Sequence, residues 1–308
     1  MKRYAIRHET VYRYRTPVDL GLHLLRLTPI TIRGQRSRGQ TLTVAPLPAR
    51  QRMFVDHFGN VVHQIAIEQT HSEFSVTLDA AVEVTRREPS EDGPEWETVR
   101  AAMQGDGFPS PPAVAEFVYP SPLAGIEDRA GLYAAPSFVA GRPIVAALRE
   151  LTQRIHRDFA YTPNATTVST KVAEVIATRR GVCQDFAHLM IAGLRGLGLP
   201  ARYVSGYLRT TPPEGGAARR GYDASHAWVS AWCGPALGWI ELDPTNDLVV
   251  AADHVVVAYG RDFSDATPLH GVILGGRSHT LSVAVSVTDL DTGCLLYTSP
   301  SPRDRQKS

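Results

Sequence analysis

The stretch from Gly181 to Tyr207, GVCQDFAHLMIAGLRGLGLPARYVSGY, constrains this chain most, because it defines a helix, its two ends and the strand that follows. Phe186, Met190, Leu194 and Leu197 recur three and four apart, which predicts one apolar face of an amphipathic helix starting at Cys183. Gly198 and Pro200 stop it. A cysteine in a first helical turn lies among unpaired backbone N–H groups at the positive end of the helix dipole, a setting suited to a nucleophile. The same residue is equally readable as a small buried hydrophobe, the common state of a free cysteine.

Elsewhere the period changes. Tyr4, Ile6, His8, Thr10, Tyr12 and Tyr14 alternate with Arg3, Arg7, Glu9 and Arg13, so residues 3–14 predict a strand with one buried side. Strand-like runs follow at 22–27, 41–44, 61–68 and 74–84, with a turn at 56–60. Residues 1–86 therefore read as an antiparallel β module. Residues 87–142 are rich in proline but carry Trp96, Phe108, Phe117, Tyr119 and Tyr133, apolar surface that an ordered connection draped over the next module would bury. From Pro143, the stripe Ile144, Leu148, Leu151, Ile155 and Phe159 predicts a helix that ends at Tyr161–Asn164. A shorter helix is expected over 168–179, capped by Ser169 or Thr170. Strands at 201–208, 226–232 and 238–242 come after the cysteine helix, and 212–221 reads as an exposed loop. The second module, 143–265, is thus α+β, and 266–290 adds a further strand segment. Residues 291–308, including Cys294, have no periodicity and resemble a translated sequencing-adapter tail; they are expected to be non-native and disordered, outside any site.

The chemistry converges on a hairpin. The run 224–232 alternates like a strand, 238–246 reads as its partner, and Cys233–Leu237 turns between them. Folded about the Gly234–Pro235 bond, it sets His226 opposite Asp243, with Cβ atoms about 4.5–5.5 Å apart. A slip of one residue would turn the aspartate to the other face. A thiol becomes a better nucleophile once an imidazole takes its proton, and the imidazole needs a carboxylate on its other nitrogen. Cys183, His226 and Asp243 supply those parts. Each also has a plainer reading: His226 as a satisfied strand histidine, Asp243 as the initiator of a turn before Pro244. His188, five residues after Cys183, faces away from it on the helix. Cys183, His226 and Cys233 lack metal-ligand spacing, so no metal is expected.

Four segments in order, GVCQDFAH at 181–188, PARYVSGY at 200–207, HAWV at 226–229 and GWIELDPTN at 238–246, resemble the bacterial transglutaminase-like superfamily. The opening YAIRHETVYRY and the FVDHFGN turn resemble the β-rich region that precedes this core in many bacterial members. GRDFSDATPLHGV at 260–272 resembles the segment after it, so about residues 1–285 are covered. The resemblance implies a papain-like transglutaminase core with Cys183 as nucleophile, His226 as base and Asp243 as its orienting partner, acting on amides without metal or organic cofactor. Gln184, Tyr161, Trp228 and Ser230 are candidates for the substrate pocket. Ser230 stands where the family often carries an acidic residue. The substrate would be a protein, a peptide or a small amide. The thioester would be resolved by water, the slightly preferred outcome, or by an amine as in cross-linking; an inactive binding or scaffold protein on the same fold is the rival.

Composition narrows the setting. A net charge of +1 recruits neither nucleic acid nor an acidic membrane. The N-terminus has no apolar signal region, and no apolar run is long enough to span a bilayer. Three sparse cysteines argue against a disulfide framework, and the cytosol is the expected compartment.

Overall fold

In the computed structural model, which describes residues 1–103, 112–209 and 225–291, the alternation at the N-terminus becomes β1 (Lys2–Leu25). Tyr4, Ile6, His8 and Thr10 are buried, while Arg3, Arg7 and Glu9 are exposed. The strand runs on past Pro17, which has no N–H to give to a ladder, and the pairing breaks between Arg13 and Val18. The two halves then take different neighbours. Alongside β2 (Gln35–Ala45), β3 (Arg50–Val55), β4 (Val61–Ile67) and β5 (His71–Val84), the first half of β1 pairs with β5 and the second with β4.

The connection carries α1 (Trp96–Ala102), α2 (Pro112–Ala115) and α3 (Asp128–Ala134). Trp96 and Phe117 are buried, Tyr133 is half-buried and Tyr119 stays exposed; Phe108 lies outside the described residues. Then come α4 (Ile144–Asp158), β6 (Ala160–Tyr161), α5 (Val172–Thr178), β7 (Arg180–Gly181) and α6 (Cys183–Gly196). The predicted stripe of α4 is buried from Ile144 to Phe159. Helix α5 starts later than the sequence suggests. Thr167 and Thr170 bond each other's backbone and side chains, Thr167 N to Thr170 Oγ1 at 2.9 Å, and hold those residues in a turn.

The strands β8 (Ala201–Leu208), β9 (His226–Trp232), β10 (Trp239–Asp243), β11 (Leu248–Val249) and β12 (His254–Gly260) form an antiparallel sheet in the order β11-β10-β9-β8-β12. A short α7 (Phe263–Ala266) leads to β13 (Leu269–Gly275) and β14 (His279–Asp289). Both return to the first sheet and pair with β1, so the N-terminal module is completed by residues far along the chain. The predicted loop at 212–221 and the tail beyond 291 lie outside the described residues. The α+β class and the antiparallel β module match expectation. Among the described residues no helix is long and apolar enough to cross a membrane.

Helix α6 departs from its predicted one-sided character. Every residue from Asp185 to Arg195 is buried, because α3, α4 and α5 cover the sides that the sheet leaves. The first sheet also docks on the outer edge of β12 through side-chain amides. Gln35 gives Nε2 to the carbonyls of Val256 and Ile30, both at 2.8 Å, and Oε1 takes the Val256 N–H at 2.7 Å. Asn60 does the same at Tyr259, at 2.8 and 2.7 Å. Two amides thus cap a strand edge that would otherwise template aggregation. Replacing Gln35 by Leu leaves the buried Val256 N–H without its acceptor, while the Val256 carbonyl keeps the Ile30 N–H at 3.3 Å, and is expected to cost about 1–3 kcal/mol in urea unfolding; a loss below about 0.5 kcal/mol would show that the edge is satisfied otherwise.

Candidate active site

Cys183 opens α6, and the local sequence dictates how. The Asp185 carboxylate turns back to accept the Val182 N–H at 2.7 Å and the Thr166 hydroxyl at 2.6 Å, closing the helix start. Gly181 leaves room for that carboxylate, since a Cβ there would sit 2.8 Å from Asp185 Cβ. The N–H groups of Cys183 and Gln184 make no hydrogen bond with a described residue and form the open end of the helix. Cys183 is partly exposed and not in a disulfide.

His226 begins β9 and Asp243 ends β10. Their register is shifted by two residues from the predicted one. Glu241 faces Ser230 and Leu242 faces Val229, so Asp243 is diagonal to His226 rather than directly opposite. A two-residue slip preserves the face, and the side chains still meet: His226 Nε2 lies 2.8 Å from Asp243 Oδ2. Both are buried. The other imidazole nitrogen, Nδ1, is buried and has no hydrogen-bond partner among the described residues. Burial opposes a charged imidazole, but the charge and hydrogen bond of Asp243, joined by the charge of Cys183, raise His226 above its ordinary range. Burial favours the neutral acid at Asp243, yet His226 and the bonds from both neighbouring imidazoles hold it well below the carboxylate range.

The second of those imidazoles is His254, which the sequence reading did not single out. Its Nε2 lies 3.0 Å from the same Oδ2. Asn246 also donates Nδ2 to Oδ2, at 2.8 Å, and the backbone N–H groups of Thr245 and Asn246 bond Oδ1 at 3.0 and 3.2 Å. The aspartate therefore initiates a turn and holds the imidazole at once. His254 starts β12, two strands from β9, with β8 between. It reaches the site because β8 carries Gly206 there. A Cβ at that position would meet Trp228 at 2.4 Å and the Val255 carbonyl oxygen at 2.2 Å. The signal for His254 was the Val-rich run HVVVAYG, a buried strand by composition, with nothing local to say which strand it neighbours.

The pocket candidates separate. Tyr161 pairs with Gly181 in a two-stranded parallel sheet two residues before the cysteine, and is half-buried. Gln184 is partly exposed and gives Nε2 to the Val168 carbonyl at 3.2 Å. Trp228 and Ser230 have no exposed surface and cannot touch a ligand from solvent. Trp228 gives its indole N–H to Glu241 at 3.0 Å, and Ser230 accepts from Arg202 at 3.2 Å. Glu241, directly across from Ser230, supplies an acidic group in that row. Two residues set aside at the outset lie elsewhere: His188 accepts the Phe263 N–H at 3.2 Å, and Cys233 is buried in the core.

Among the described residues, His226, Asp243 and His254 bring three potential ligand atoms within 4.8 Å of one another. While both imidazoles donate to Oδ2, neither offers a lone pair inward, so the cluster is closed by its own hydrogen bonds. A groove of about 720 Å³ runs along α4, lined by Arg142, Arg149, Glu150 and Arg154 among others. None of Cys183, His226 and Asp243 lines it, and Arg142 and Arg149 are paired with glutamates.

Comparison with known proteins agrees with this architecture. The family model for the bacterial transglutaminase-like N-terminal region matches residues 4–83, and that for the transglutaminase-like superfamily matches 137–244. An uncharacterised protein of Mycobacterium tuberculosis is 40% identical over 302 residues, spanning 95% of each chain. A protein-glutamine gamma-glutamyltransferase of Pseudomonas aeruginosa is 39% identical over 105 residues, 32% of this chain and 15% of that protein. The fold is also that of a candidate cysteine protease from Cytophaga hutchinsonii, with TM-score 0.74, 23% identity, and coverage of 97% of this chain and 93% of that one. With both of its modules matched and a relative aligned along nearly its whole length, the chain belongs to the transglutaminase-like superfamily, in the group that carries the bacterial N-terminal region.

Proposed function

We propose that the protein is a cysteine enzyme that makes a thioester acyl-enzyme from an amide. One observation carries the reading: a buried imidazole bonded to Asp243 through Nε2, whose other nitrogen has no hydrogen-bond partner among the described residues and whose charged form the nearby Cys183 favours. Cys183 attacks the carbonyl carbon as the thiolate, its proton held by His226. The unpaired N–H groups of Cys183 and Gln184 receive the developing oxyanion. The C–N bond breaks, His226 passes its proton to the departing amine or ammonia, and a thioester remains. Water or a second amine then attacks, giving its proton back to His226, and the C–S bond breaks. Asp243 fixes the imidazole and stabilises its cation throughout. A peptide or small amide would enter past Tyr161 and Gln184, and we keep hydrolysis as the favoured outcome. The cytosol is proposed as its setting, on the sparse cysteines, of which the two described are free.

The test is mass spectrometry of protein and product on glutamine-containing peptides and peptide amides, with and without a primary amine. An acyl adduct on Cys183 and a product that is the free acid, or the amine conjugate when amine is present, are expected. Intact substrate with no adduct in either arm would refute the reading.

A further inference from the structure

We propose that His254 is a positioning residue that shares the Asp243 carboxylate with His226 and so limits how tightly that pair holds its proton. The proposal rests on the acyl-transfer reading for its purpose, but its evidence is geometric. Asp243 Oδ2 accepts three donors at once: His226 Nε2 at 2.8 Å, His254 Nε2 at 3.0 Å and Asn246 Nδ2 at 2.8 Å. Both imidazoles must therefore present N–H at Nε2. For His226 this leaves Nδ1 as the nitrogen that exchanges a proton with sulfur. For His254 it makes the ring a fixed donor that draws negative charge from the oxygen on which His226 depends.

The seat of His254 is built for this. Its ring packs edge-on against Trp228, with centroids 5.1 Å apart at 73°, and Trp228 in turn is seated over Gly206. The backbone carbonyl of His254 accepts from the Arg86 guanidinium, which reaches in from the N-terminal module and is paired with Glu241 at 2.7 Å. The charged and titratable groups that face His254 are thus Asp243 on β10, His226 on β9 and the Arg86–Glu241 pair, with Asp253 and its ion-pair partner Arg209 beside it in the chain. Removing the donor at 254 leaves more of the carboxylate's charge for His226. The imidazolium becomes more stable, and His226 gives up its proton less readily to a leaving amine.

The experiment is an NMR titration of the His226 ring in the full chain, using wild type, His254→Leu, His254→Asn and His254→Gln. Glutamine places an amide N–H where Nε2 stood; asparagine is too short to reach. The His226 midpoint is expected to rise by about one pH unit in the Leu and Asn variants and to return to within a few tenths in the Gln variant. If Leu does not fold, the polar Asn variant gives the same reading. An unmoved midpoint in folded Leu or Asn protein would overturn the proposal and reduce His254 to a packing residue. The titration needs no turnover. Failure of the acyl-transfer reading would therefore appear as absent product with a shifted midpoint, and failure of this proposal as an unshifted midpoint with product intact.

Discussion

Replacing Cys183 by alanine is expected to lower the rate of amide turnover at least ~10⁴-fold, because the residues of a nucleophile–base pair act as a unit and the base alone forms no acyl-enzyme. The change removes one sulfur from a partly exposed position at a helix start. The capping of α6 depends on Asp185 and not on the sulfur, so the thermal midpoint should stay within about 2 °C of wild type. Initial rates on the best amide substrate and a parallel thermal melt check both halves. Equal turnover in the two proteins would eliminate Cys183 as the nucleophile. A lost activity accompanied by a collapsed melt would assign it to the core instead.

The largest expected loss of stability lies twelve residues on, at Arg195. Its guanidinium is buried, and all five N–H donors are used. Nε reaches the Phe117 carbonyl at 3.0 Å; Nη1 reaches the Ser121 hydroxyl at 3.0 Å and the Ala124 carbonyl at 2.9 Å; Nη2 reaches the carbonyls of Ala201 and Arg261 at 3.0 and 2.7 Å. Burial pulls its pKa down to about 10, and it remains charged at neutral pH. One side chain thus ties together the connection after α2, the start of β8 and the approach to α7. Arg195→Met fills similar volume but removes five hydrogen bonds to buried acceptors; the Ala124 and Arg261 carbonyls keep the Ser121 hydroxyl as a longer partner, the Phe117 and Ala201 carbonyls lose the guanidinium outright, and the change should cost about 4 kcal/mol. That corresponds to a fall in Tm of roughly 10 °C. Denaturant unfolding measures it, and a cost under about 1 kcal/mol would mean that those carbonyls find other partners.

Arg195 also shows where a sequence stops being informative. Local periodicity was enough for the first half of β1, for α4, α6 and the 226–243 hairpin, because each is specified by neighbours a few residues away; that β1 runs on through Pro17 into the separately read run at 22–27 was not legible. The face shared by His226 and Asp243 survived a register error of two, since side-chain direction repeats with that period. What α6 packs against was not legible: its apolar stripe gives no reason to bury Asp185, His188 and Arg195, and their burial depends on α3, α4 and α5 arriving from elsewhere. Trp228 and Ser230 share the alternation of His226, yet the strands and the N-terminal sheet cover them. His254 joins the site only through sheet order, with β8 between its strand and β9, and no spacing in the chain encodes that.

The eleven-residue ladder between β1 and β14, from Tyr4 against Asp289 to Tyr14 against His279, has a consequence for how the molecule is made. During translation β1 waits for one of its two partners until the helices and strands that carry Cys183, His226 and Asp243 have emerged. A nascent chain halted before His279 presents that edge of β1 unpaired along its first half, a long-range pairing deferred until β14 is made. Completion of the first module is thereby coupled to completion of the second, and a prematurely terminated product would be sticky rather than merely inactive.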